Sequence, residues 1–97
     1  MDKFDKPSQI DDAAVIEKYG TYQQCMNILI DMGCLSEMKF LEHQGEVEFL
    51  ARNIIELVQK GMNFDNAVDS SRNEFNEHLG CVLWVEAKRR ARAGINL

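Results

Sequence analysis

The stretch Phe40-Leu41-Glu42-His43-Gln44-Gly45-Glu46-Val47-Glu48-Phe49-Leu50-Ala51-Arg52-Asn53-Ile54-Ile55-Glu56-Leu57 decides the fold class. Phe40, His43, Val47, Leu50, Ile54 and Leu57 recur at alternating steps of three and four, which sets them along one side of an α-helix. Two more stripes with this rhythm flank it. Val15, Tyr19, Tyr22, Met26 and Leu29 form the one before; Phe64, Val68, Ser71, Phe75, His78, Val82 and Val85 form the one after. The spacing predicts an all-α protein, an antiparallel three-helix bundle.

Turn and cap residues bound the helices. Ser8 with Asp11, or Asp11 alone, is the expected N-cap of a first helix from about Gln9 to Met32, and Gly33 supplies its left-handed stop. Gly20 weakens the middle of that helix by about 1 kcal/mol relative to alanine. Ser36 caps the second helix, which runs to about Lys60 and stops at Gly61. Its weak point is Gln44-Gly45, where a split makes four helices. Asn63 caps the third, expected to continue to about Ala93 before Gly94. The connections are so short that sequential helices run antiparallel. Residues 1–8 read as a flexible N-terminal arm, 9–94 as a single helical domain and 95–97 as a tail.

Composition narrows the class. The 97 residues fit one domain. With 45% hydrophobic and 28% charged residues, the chain is neither disordered nor membrane-like. Its apolar runs fall short of the roughly 20 residues that span a bilayer, and the start Met1-Asp2-Lys3-Phe4 lacks the apolar centre of a signal peptide. Cys25, Cys34 and Cys81 are odd in number and lack CxxC spacing, which points to reduced thiols and a cytoplasmic compartment.

Charge is uneven. Residues 1–86 carry seven Lys and Arg against 16 Asp and Glu, a net of −9, whereas residues 87–97 carry four cations and no acid. An acidic body repels nucleic acid. The segment Lys88, Arg89, Arg90 and Arg92 is the alternative: a DNA-binding regulator would use it on phosphates. The simpler reading is that these cations complement a helix C-terminus.

Chemistry-bearing residues are few. Folding the chain about its two turns sets position 43 beside about position 26 and about position 81. Cys25, His43, His78 and Cys81 can then share a layer, and two Cys with two His are a good zinc set. The competing reading is a polar layer in the core. Glu42, Glu46, Glu74 and Glu77 lack the Glu-x-x-His pairing of di-iron bundles. Phosphate loops and hydrolase signatures do not occur. The expectation is therefore no catalytic residue, no cofactor and no enzyme activity.

Residues off the stripes suggest binding instead. Trp84 projects away from Phe75 and Val82, with Gly80, Ala87 and Ala91 around it. Met38, Leu41 and Phe49 lie away from Val47, Leu50 and Ile54, beside Gly45. Aromatics and methionine are enriched at the centres of interfaces. These seven residues are the expected partner-binding surface. It suits a small interaction module: an adaptor, an assembly subunit or an inhibitor or immunity-type protein that masks a partner. A homodimer is the first form expected, because two-fold pairing needs only one patch.

Overall fold

Two of the expected turns are built by glycine in the left-handed region, at Gly33 with φ +74° and Gly61 with φ +105°. After the first, the Cys34 N–H donates to the Leu29 carbonyl at 2.9 Å and the Gly33 N–H to Ile30 at 3.0 Å. After the second, Met62 donates to Leu57 at 3.1 Å and Gly61 to Val58 at 3.0 Å. Both are Schellman turns, which satisfy the last carbonyls of a helix.

The computed structural model describes residues 6–71 and 80–95. A 3-10 turn, Pro7–Gln9, precedes five helices: α1 (Asp12–Tyr19), α2 (Tyr22–Asp31), α3 (Glu37–Gln59), α4 (Phe64–Ser70) and α5 (Gly80–Ile95). Among the described residues there is no strand. The chain is all-helical, and its arrangement departs from a simple three-helix bundle.

The first expected helix is two. Gly20 adopts φ +83° and ends α1, its N–H donating to the Ile16 carbonyl. Thr21 then starts α2 with a capping box. Its hydroxyl accepts the Gln24 N–H at 3.2 Å, and the Gln24 side chain accepts the Thr21 N–H at 3.0 Å. The sequence signal was Thr21-x-x-Gln24, a helix start lying directly after a glycine. Conversely, α3 passes through Gly45 unbroken. No capping residue stands there, and Gln44, Glu46 and Glu48 favour helix.

Asp11, Ser36 and Asn63 cap α1, α3 and α4 as expected, each accepting the backbone N–H three residues on. Ser8 is not a cap. Its hydroxyl donates to Asp69 of α4 at 2.7 Å and its N–H to the same carboxylate at 3.0 Å. The end of the expected flexible arm is thus anchored on α4. The third expected helix yields α4 and α5. Ser71, with ψ 105°, leaves the helical region, and its hydroxyl bonds back to the Ala67 carbonyl. Phe75 and His78 of that stripe lie outside the described residues.

Helix α5 is the axis of the molecule. Every residue from Gly80 to Lys88 is buried, so this stretch is covered on all sides rather than on one stripe. Helix α3 packs along it most extensively, and α1 and α2 also lie against it; α4 sits on α3 and on the Pro7–Gln9 turn. The core joins Val15, Tyr22, Met26, Val47, Leu50, Ile54, Val68, Leu83, Trp84 and Ala91. Gly94, expected as a stop, lies inside α5, where a Cβ would come within 2.5 Å of the Ile55 side chain. It lets α5 approach α3 closely.

Candidate interaction face

The expected partner surface divides in two. Trp84 is 3% exposed, and Gly80, Ala87 and Ala91 are buried with it. That half of the docking surface is therefore corrected to core. Along residues 80–88, α5 is buried on every side. This stretch has no outward side, and the periodicity of the chain could not show this. The signal was Gly80-Cys81-Val82-Leu83-Trp84-Val85, an apolar run without a polar face.

The other half remains on the surface. Met38 is 74% exposed, Leu41 66% and Phe49 67%. With about 100° between successive helical residues, these three and Gly45 share one stripe of α3. The opposite side carries His43, Val47, Leu50 and Ile54, all buried. Glu42 and Glu46 flank the stripe on one side and Glu37 and Glu48 on the other, all exposed. Gly45 lies midway, and nothing of this chain comes within 4 Å of the place its Cβ would take. Ile28 and Met32, near the end of α2, are also exposed.

A polar node supports the underside of this region. The Tyr22 hydroxyl donates to Gln44 Oε1 at 3.1 Å, and Arg90 donates to the same oxygen at 3.1 Å. Arg90 also covers the Tyr22 ring and donates to Glu86 Oε2 at 2.8 Å. Arg89 grips Glu86 with two hydrogen bonds, at 2.8 and 2.7 Å. The node ties α2, α3 and α5 together. Burial alone pushes the Glu86 carboxyl up; the hydrogen bonds and charges of Arg89 and Arg90 together outweigh it and hold the group below its ordinary range. Burial raises the Tyr22 phenol, Arg90 works against that shift and Glu86 adds to it.

The basic segment pairs with carboxylates of the same chain. Lys88, a phosphate contact only in the alternative DNA-binding reading, is buried with its ammonium 2.6 Å from Asp12 Oδ1. It also donates to the Pro7 and Ile10 carbonyls, so two hydrogen bonds and one ion pair hold the ammonium. Arg92 donates to the other Asp12 oxygen at 3.1 Å and stacks over Phe64. Arg89 and Arg90 hold Glu86. Pairing of each cation with a carboxylate of the same chain is the physical reason that this cluster is a clamp rather than an open basic patch.

The Cys and His layer forms in part. Cys25 and Cys81 are buried free thiols. Burial raises the Cys25 pKa, and the nearby Cys81 adds to the shift. His43 is buried, with Nδ1 4.0 Å from Glu46. His78 lies outside the described residues. Among those described, no three His, Cys, Asp or Glu side chains are grouped to hold a metal. No described helix is long and apolar enough to cross a membrane. The sequence matches no protein-family model, and neither curated proteins nor solved structures give a match.

Proposed function

We propose that this chain is a non-enzymatic helical interaction module that receives a protein partner on the outer face of α3, as an adaptor, an assembly subunit or an inhibitor that masks its target. One observation carries this reading: Met38, Leu41 and Phe49 stand 66–74% exposed on one stripe of a helix whose other side is fully packed. Single exposed apolar residues are ordinary, but three on one stripe make a patch of the kind found at docking sites. The fold has no packing use for them. Large side chains of this type are common anchors when covered by a partner. The basic segment supports a DNA-binding role less well, because Lys88 is buried on Asp12 and its three arginines hold carboxylates of the same chain.

Site-specific photo-crosslinking in host cells tests this. A photoreactive phenylalanine at position 49 is expected to capture a protein, and the same group at exposed Glu17 is not. Equal capture at both positions, or none at 49, defeats the reading.

A further inference from the structure

We infer that the occupant of the α3 outer face is a cationic amphipathic helix of another protein. The inference rests on the interaction reading above and adds the chemistry of the partner. Met38, Leu41, Gly45 and Phe49 step by three, four and four, the spacing at which the anchors of a docking helix recur. Gly45 leaves a shallow dip between Leu41 and Phe49, since nothing of this chain fills the space above its Cα. Another helix can approach closely there.

Charge selects among the possible occupants. From Glu37 to Phe49 the helix carries four glutamates and one lysine. The glutamates are exposed and border the stripe on both sides. Lysines or arginines flanking an apolar stripe on the incoming helix meet opposite charge along both edges, which steers the encounter and sets register. A second copy of this chain meets the reverse. Antiparallel pairing of two α3 helices across Gly45 brings like edges together and sets Glu42 of each copy close to Glu46 of the other, and parallel pairing sets the Glu42 and Glu46 edge against the Glu37 and Glu48 edge. Like charges so placed oppose the homodimer. An anionic lipid surface is repelled for the same reason.

The test uses the full chain and two synthetic helical peptides of about 18 residues. One is made of leucine and lysine with leucines at helical spacing; the other has glutamate in place of lysine. The lysine peptide is expected to bind at least about tenfold more tightly at low salt, and less tightly as salt rises. Leu41→Ser with Phe49→Ser should weaken it by at least about tenfold, since both the apolar and the charged contacts are needed. Glu42→Lys with Glu48→Lys should invert the preference between the peptides. Both pairs lie on the surface, and thermal melting confirms that they fold.

Equal affinity for the two peptides overturns the inference, as does lysine-peptide binding that ignores the serine changes, which is diffuse attraction to an acidic protein. A wild-type dimer that Leu41→Ser and Phe49→Ser dissolve makes the occupant a second copy. Binding to phosphatidylserine vesicles that the same changes abolish makes it a lipid surface. Either result overturns the inference. Crosslinking at position 49 with no discrimination between peptides leaves the interaction reading standing and removes only the cationic helix.

Discussion

Lys88 Nζ lies 2.6 Å from Asp12 Oδ1, joining the buried middle of α5 to the first turn of α1. The lysine side chain is 2% exposed and the aspartate 25%. The pair closes the two ends of the chain onto each other, and Ser8 with Asp69 adds a second tie beside it. Such an ion pair needs its remaining protons satisfied to be tolerated. The Pro7 and Ile10 carbonyls do this.

Lys88→Met keeps most of the volume and removes the charge. It leaves the two carbonyls without this donor and Asp12 with Arg92 alone as a cationic partner. The expected cost is about 2–4 kcal/mol, toward the lower end for a broken buried pair because Asp12 reaches water. Urea unfolding of wild type and variant measures it. An unchanged midpoint would show that the ammonium is not buried as described.

Glu86 predicts an acid limb in stability. Its folded pKa is lowered, so the ionised form favours the native state. That contribution is complete above the unfolded glutamate value of about 4.3 and disappears as pH falls through the lower folded value. Glu86→Gln should therefore destabilise the protein near neutrality and remove that share of the stability loss within the acid window, from about pH 4.3 downward. Thermal midpoints measured across the range check this.

Burial sorts the cysteines. Cys34 is exposed, whereas Cys25 and Cys81 are buried and the Cys25 thiol is shifted upward. A thiol reagent near neutral pH should label Cys34 quickly and the other two only as the protein opens, since the thiolate is the reactive form. Cys34→Ser should remove the fast phase and leave the slow one.

Core and surface variants should separate cleanly. Ile54→Ala removes a fully buried side chain and is expected to cost about 2–5 kcal/mol; Trp84→Ala should cost about 3–5 kcal/mol. Trp84→Ala is expected to act on stability and not on association. Phe49→Ser should stay within about 0.5 kcal/mol of wild type. Denaturant titration of the three variants tests the assignment of each face.

Gly45 and Gly20 should respond to alanine in opposite directions. Gly45→Ala puts a methyl into open space within a regular helix and should stabilise by about 0.5–1 kcal/mol. Gly20→Ala forces φ +83° on an alanine, where the Cβ also meets Gln24 Oε1 at 3.0 Å. It should destabilise by at least about 1 kcal/mol. Thermal melts of the pair decide.

Local chemistry was legible in the chain. The stripes through Val15, Val47 and Val68, the caps Asp11, Ser36 and Asn63 and the stops Gly33 and Gly61 each follow from residues a few positions apart, so the all-helical class and the two main turns could be read directly. The exposed stripe of Met38, Leu41 and Phe49 was legible for the same reason, being the reverse side of a one-sided helix. The break at Gly20 was also written locally, in Thr21 and Gln24, but two signals had to be combined.

Tertiary structure decided the rest. Whether Trp84 faces solvent depends on how many helices surround α5, and periodicity along α5 carries no information about that number. Whether Lys88 meets a phosphate or a carboxylate depends on Asp12, which only chain folding brings within 2.6 Å. A helix period records which residues share a side. What covers that side is set by contacts between residues far apart in the chain, and those form only when the helices pack.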